Sequence, residues 1–224
     1  MGAKPGLTYT GIPVAPGTAD MTAVATQIMD GDPDAIIYSS GAADCINLIN
    51  ALSSIGWSAD ETPLVMSAAC FDIDRLLDAG DATKGIYFIS EGPISTRPDL
   101  YEGLQALEVQ TYLDVMAANS PETALTGFTP VAFHSMMFAY DILNEIALSG
   151  QEPNAENVAT ALAATTDRHY FASDTIGCAN APAPYVNICH TTAGMGIWDG
   201  TSLVPAAEDI TPLDIIAGTD ITLE

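Results

Sequence analysis

Pro33-Asp34-Ala35-Ile36-Ile37-Tyr38-Ser39-Ser40-Gly41, running on through Ala42 to Ile55 and then Gly56, is the stretch that decides the fold. Ala35 to Tyr38 is continuously apolar, the pattern of a strand buried on both faces. Ser39-Ser40-Gly41 suits a tight turn. From about Ala43 the apolar residues Ile46, Ile49 and Leu52 recur at the spacing of one helix face, and Gly56 ends that helix as a C-cap. Strand, turn and helix form one unit, and the unit recurs on both sides. Upstream, Leu7 to Pro13 reads as a strand and Asp20 to Asp30 as a helix. Asp20 serves as its N-cap, with Met21, Val24, Ala25 and Ile28 on one face and a break at Asp30-Gly31-Asp32-Pro33-Asp34. Downstream, Leu64-Val65-Met66 is the next strand, Asp72 to Ala79 a shorter helix ending at Gly80, and Gly85-Ile86-Tyr87-Phe88-Ile89 a fourth strand.

Such alternation specifies an α/β fold in which a parallel sheet is flanked by helices. Ligands of open parallel sheets bind outside the carboxyl ends of the strands. The segments to read for function are therefore Ser39-Ser40-Gly41-Ala42, Ser67-Ala68-Ala69-Cys70 and Ser90-Glu91-Gly92. None of them carries a nucleophile with a base, which points to binding and away from turnover.

After Gly92-Pro93, the candidate domain crossing, the rhythm changes. A long helix is expected from Asp99 to about Ala118, with Val109, Tyr112, Leu113 and Met116 on one face. A second has Thr129 as N-cap, Pro130 at the first helical position and Gly150 just past the end. Its middle, Phe133 to Tyr140, is apolar nearly all round and is expected to be buried. A short helix follows from Ala155 to Thr165, capped by Asn154. The chain then reads as irregular and strand-like, up to Gly196-Ile197-Trp198 and the turn Asp199-Gly200.

The 224 residues hold 29 acidic and 5 basic side chains, a net charge of −24 at 48% hydrophobic content. A polyanion repels phosphate backbones and anionic lipid, and Lys4, Arg75, Lys84, Arg97 and Arg168 form no patch, so nucleic acid is excluded as a partner. Carboxylates in such excess keep surfaces hydrated and apart, as in proteins that work in salt or outside the cell. No run reaches the ~18 apolar residues needed to span a bilayer. The nearest, Val131 to Leu148, is interrupted by His134, Asp141, Asn144 and Glu145. No charged start followed by an apolar stretch marks an export signal in these residues.

Cys45, Cys70, Cys178 and Cys189 allow three pairings, and the sequence does not choose among them. Cys178 and Cys189 flank the proline-rich Ala181-Pro182-Ala183-Pro184, while Cys45 and Cys70 both follow strands at one sheet edge, so two disulfides are reasonable. Cys178, Cys189 and His190 lack the paired spacing of a structural zinc site. Asp30, Asp32 and Asp34 imitate a calcium loop that fails at Ala35 and Gly41. Gly194-Met195-Gly196 precedes no helix and is a turn. His134 reads as a satisfied core histidine; His169 and His190 lie in less regular sequence.

The order of these elements, with several local phrases, resembles the second half of type I periplasmic solute-binding proteins of branched-chain amino acid ABC transporters. The phrases are Asp20-Met21-Thr22, Pro33 to Tyr38, Leu52-Ser53-Ser54-Ile55-Gly56, Gly85-Ile86-Tyr87-Phe88, Phe128 to Ile146, Val158-Ala159-Thr160-Ala161-Leu162 and Trp198-Asp199-Gly200. The resemblance implies two α/β lobes closing on a small solute, the N-terminal part of the first lobe lying outside this sequence. Residues 1–92 and 185–204 are then the second lobe, 93–184 the remainder of the first, and 205–224 a C-terminal tail. It also implies an extracytoplasmic capture subunit of an ABC importer. Its partners are a small-molecule solute and the transporter permease, with membrane association only through an N-terminal anchor absent from these residues, and no cofactor. Amino-acid-binding members place an aromatic and an acidic residue where this chain has Gly41 and Ala69, so an amide, an organic acid or an aromatic compound joins amino acids among the expected solutes.

Within that frame Ser39, Ser40, Ala42, Ser67 and Phe71 are the candidate ligand contacts, with Glu91 at the hinge. Hydroxyls and open backbone amides at strand ends hold small polar solutes. The alternatives are a ligand-sensing or surface module on the same fold, and a hydrolase using the strand-edge serines. The latter lacks a Gly-x-Ser-x-Gly elbow.

Overall fold

The computed structural model describes residues 8–90, 97–123, 127–172, 175–179, 189 and 194–206. Its elements are α1 (Thr22–Asp30), β1 (Ile36–Tyr38), α2 (Ala42–Ser54), β2 (Leu64–Ser67), α3 (Ile73–Ala79), β3 (Tyr87–Ser90), α4 (Gly103–Asn119), α5 (Thr129–Leu148), α6 (Ala155–Ala163), β4 (Arg168–His169), β5 (Thr175–Ile176), β6 (Gly194–Trp198) and β7 (Leu203–Pro205). One sheet has the order β1-β2-β3-β6-β7. The first three strands run parallel, in the register Ile36↔Leu64 and Met66↔Phe88, so the helix-flanked parallel sheet expected from the alternation is present. β6 joins β3 antiparallel, Ser90 opposite Gly194, and β7 closes a hairpin on β6. β4 and β5 form a separate antiparallel pair.

The two faces of the sheet differ. Ile36, Leu64, Met66, Phe88 and Trp198 lie on one face and are all at most 6% exposed. They pack against Met21 and Ala25 of the first helical segment, Cys45, Leu48, Ile49 and Leu52 of α2, and Leu76 of α3. The buried positions of α2 follow the i, i+3, i+4, i+7 spacing that its sequence showed. Phe71 sets its ring edge-on to Phe88 and Trp198, at 5.5 and 6.2 Å between centroids. On the other face Ile37 is 74% and Ile89 40% exposed. Among the described residues β1 pairs only with β2, so its outer edge is open.

Several expectations need correction. Gly194-Met195-Gly196 is not a turn but opens β6. The N-cap of α1 is Met21, and Asp20 accepts the Thr22 amide at 2.9 Å from one position further out. Residues 8–13 form no strand, and Tyr9 is exposed: aromatic and β-branched content favours a strand only where a neighbour supplies hydrogen bonds. The helix expected from Asp99 begins at Gly103, because Pro98 to Leu100 takes a 3-10 turn and Gly103 enters at φ +60°. α5 has Phe128 as its N-cap, and it is not buried all round: His134, Ile142 and Ile146 are covered, while Met136 and Tyr140 stand exposed. Other signals hold. Asn154 accepts the Asn157 amide at 3.0 Å, Asp72 caps α3 through the Arg75 amide, and the Asp199 carboxylate accepts the Thr201 and Ser202 amides in the β6–β7 turn. Gly92-Pro93 lies outside the described residues.

A second cluster holds α4, α5 and the β4–β5 pair together. Tyr112, Phe133, His134, Phe138 and Tyr170 meet edge to face, and Phe171 lies tilted against Phe133 and His134. Beside it Glu108 accepts the Ala172 amide and meets His169 Nε2, both at 2.7 Å. That carboxylate holds Ala172 at φ +55°, where an alanine is otherwise disfavoured. His134 is a core residue, as expected, but neither ring nitrogen finds a partner among the described residues. Burial draws its pKa down to about 4 from 6.5, so the ring stays neutral in the folded protein.

Two predictions test these cores. Phe88→Ala removes the ring on which Phe71 rests and should cost about 3–5 kcal/mol in denaturant unfolding. His134 binds a proton in the unfolded chain before it does so in the folded one, so its contribution is neutral above pH 6.5 and increasingly destabilising from there down to about 4. His134→Phe should remove that dependence, and its stability relative to wild type should rise by about 3 kcal/mol across the window. Parallel pH profiles would show the imidazole to be solvated instead.

Candidate functional site

The carboxyl ends of β1 and β2 bring the sequence-selected serines together. Side chains alternate along a strand, so Ser39 and Ser67 continue the faces of Ile37 and Val65, on the open side of the sheet. The Ser39 hydroxyl donates to Ser67 Oγ at 2.9 Å. Ser40 turns the other way and donates to Asp44 Oδ2 at 2.9 Å. Asp44, in the first turn of α2, also accepts the Gly17 amide at 3.2 and 3.1 Å, which pins the segment before α1 to the sheet edge. An acid there is favoured by the positive end of the helix dipole. Burial raises the Tyr38 phenol above its usual range, hydrogen bonding to Ser40 opposes this and the Asp44 charge adds to it.

Ala42 opens α2 and is half-buried. The Phe71 ring is only 8% exposed within the core, so what that residue presents at the edge is its carbonyl. That oxygen accepts the Gly127 amide at 2.6 Å, a backbone bond from the turn after β2 to the residue preceding the N-cap of α5. Gly127 takes φ +52°, and a Cβ built there would lie 3.8 Å from the Ala69 carbonyl oxygen. Phe128, 59% exposed, follows at the start of α5. Glu91 and His190 lie outside the described residues, while His169 is engaged with Glu108 away from the serine pair.

Both disulfides exist. Cys45, in the first turns of α2, is joined to Cys70, which ends the 3-10 turn after β2, with Cα atoms 5.5 Å apart. Cys178 is joined to Cys189. Of the three pairings open to the sequence, this is the one in which each partner lies beside the other. Asp44, Gly17 and Gly127 were not singled out by sequence reading. The acid at the helix start was a visible signal, whereas the Phe71–Gly127 contact joins segments that no local pattern links.

The described sheet places a polar strand-end edge beside the start of a long helix, the position at which ligands of open α/β sheets bind. A family profile described as periplasmic binding protein matches residues 1–209. This chain belongs to that family. No curated protein matches it in sequence. Among solved structures it is similar to a leucine-binding protein from Thermotoga maritima (TM-score 0.62, 15% identity, 88% of this chain and 50% of that one). It is also similar to a branched-chain amino acid ABC transporter protein from Thermus thermophilus with bound valine (0.67, 14%, 92% and 53%). A third similarity is to an R. palustris solute-binding protein in complex with 4-hydroxybenzoate (0.61, 16%, 87% and 50%). The chain spans about half the length of each of these proteins.

The serine pair offers a direct check. Ser39→Ala, Ser67→Ala and the double variant, compared by denaturant unfolding, should show a coupling of about 0.5–1 kcal/mol. Strictly additive losses would mean that the two hydroxyls do not meet in solution.

Proposed function

We propose that this protein is the solute-binding subunit of an ABC importer, working outside the cytoplasm and holding a small polar solute by closure of two lobes. The observation that carries the reading is the strand-end edge itself: paired hydroxyls at Ser39 and Ser67 beside the Ser67–Phe71 turn, in hydrogen-bonded contact with the start of α5. Family membership supports it. In this reading residues 1–92 and 185–204 form one lobe and 93–184 belong to the other. Ser39, Ser40, Ala42 and Ser67 line the cleft, and Glu91 stands at the crossing. Solute contacts made with both lobes exist only in the closed state, so binding shifts the population toward it. Two disulfides fit an oxidising compartment.

Structurally similar proteins were solved with valine, isoleucine and 4-hydroxybenzoate, so the solute here is sought among amino acids, their amides and organic or aromatic acids. A thermal-unfolding screen of such compounds against the purified chain is the test. A true ligand at one hundred times its Kd adds about 2.7 kcal/mol to stability. Ser39→Ala and Ser67→Ala should each weaken that ligand by roughly tenfold, the worth of one hydrogen bond at a site. If no compound of these classes raises the melting temperature, the solute-binding reading fails for this chain. If a ligand binds the serine variants as tightly as wild type, the site lies elsewhere.

A further inference from the structure

Two links meet on the short turn after β2. Cys70 ends that turn and is bonded covalently to Cys45 in α2. Its neighbour Phe71 receives the Gly127 amide on its carbonyl. Its other neighbour, Ala69, has its carbonyl oxygen 3.8 Å from where a Cβ on Gly127 would stand. Gly127, just before α5, thus lies beside both residues that flank Cys70 and is hydrogen-bonded to one of them. Cys45 and Cys70 are 0% and 1% exposed, so the bridge is shielded and has one environment. Ser39 and Ser67, one step from the same two strand ends, form a second and weaker tie between the loops.

We infer that the Cys45–Cys70 disulfide is a positioning element for the junction between the sheet edge and α5. It fixes the turn after β2 relative to α2, and through that turn it holds the Phe71 carbonyl in register with the Gly127 amide. On the solute-binding reading above, this makes affinity depend on the bridge, because the junction borders the cleft. Cys178–Cys189 serves as the comparison, because neither of its cysteines belongs to α2 or to the turn after β2.

The test uses the full chain and compares two bridge deletions, Cys45→Ala/Cys70→Ala and Cys178→Ala/Cys189→Ala, at conditions where both are folded. Amide hydrogen exchange by NMR reads the Gly127 N–H, and the second bridge deletion controls for a general loss of stability. Exchange at Gly127 should quicken by roughly tenfold or more in the first variant and stay within about twofold of wild type in the second. Equal effects in the two variants, or no change in the first, overturn the inference. Should the double alanine fail to fold, Cys45→Ala/Cys70→Val restores the lost sulfur volume and takes its place. Failure of both would make the bridge a requirement of the whole fold and overturn a local role. A second arm measures affinity for whichever amino acid or aromatic acid raises the wild-type melting temperature. That affinity should fall by about tenfold in the first variant alone. A screen in which nothing binds wild type defeats the solute-binding reading, and the exchange result still decides the role of the bridge.

Discussion

The antiparallel seam between β3 and β6 is the constraint on which the rest of the molecule depends. The chain leaves the sheet at Ser90 and returns opposite it at Gly194, so everything between those residues is tethered at both ends to neighbouring strands. The seam also delivers Trp198, which is fully buried and lies edge-on to Phe71. The core of the early strands is therefore completed by a residue from late in the sequence. Contacts of such separation are slow to find, because loop closure costs entropy before any pairing rewards it.

Much of the architecture was legible because it follows from local periodicity. The strand-like runs that became β1, β2 and β3, three of the four expected, and the single apolar stripes of α1 and α2, needed no tertiary knowledge. Two of the misreadings share one cause. The sequence shows what a segment prefers and not what lies beside it: residues 8–13 have strand composition but pair with no strand among the described residues, and α5 is apolar on a side that those residues leave open at Met136 and Tyr140. The delayed start of α4 is different, since Pro98 and Gly103 were both visible and their combined effect on the backbone was not read.

The strand-end rule found Ser39, Ser40 and Ser67, and the structure brings Ser39 and Ser67 into contact. It could not find Asp44 as the clasp of the Gly17 segment, nor Gly127 as the partner of Phe71, because both contacts cross between elements. Phe71 illustrates the limit from the other side. It was a candidate ligand contact, yet its ring packs in the core against Phe88 and Trp198, and its carbonyl is what meets Gly127 at the edge.

Among the described residues the outer edge of β1 carries no partner strand, which bears on the colloidal behaviour of the molecule. A bare strand with an outward isoleucine is a template for the same strand of a second molecule, and proteins usually blunt such edges. Here the strand is three residues long, which limits the ladder two copies could build. A net charge of −24 adds mutual repulsion that acts over roughly a Debye length, about 8 Å at physiological ionic strength. The same acidity opposes edge-to-edge stacking of two copies of this chain, and salt thins that repulsion.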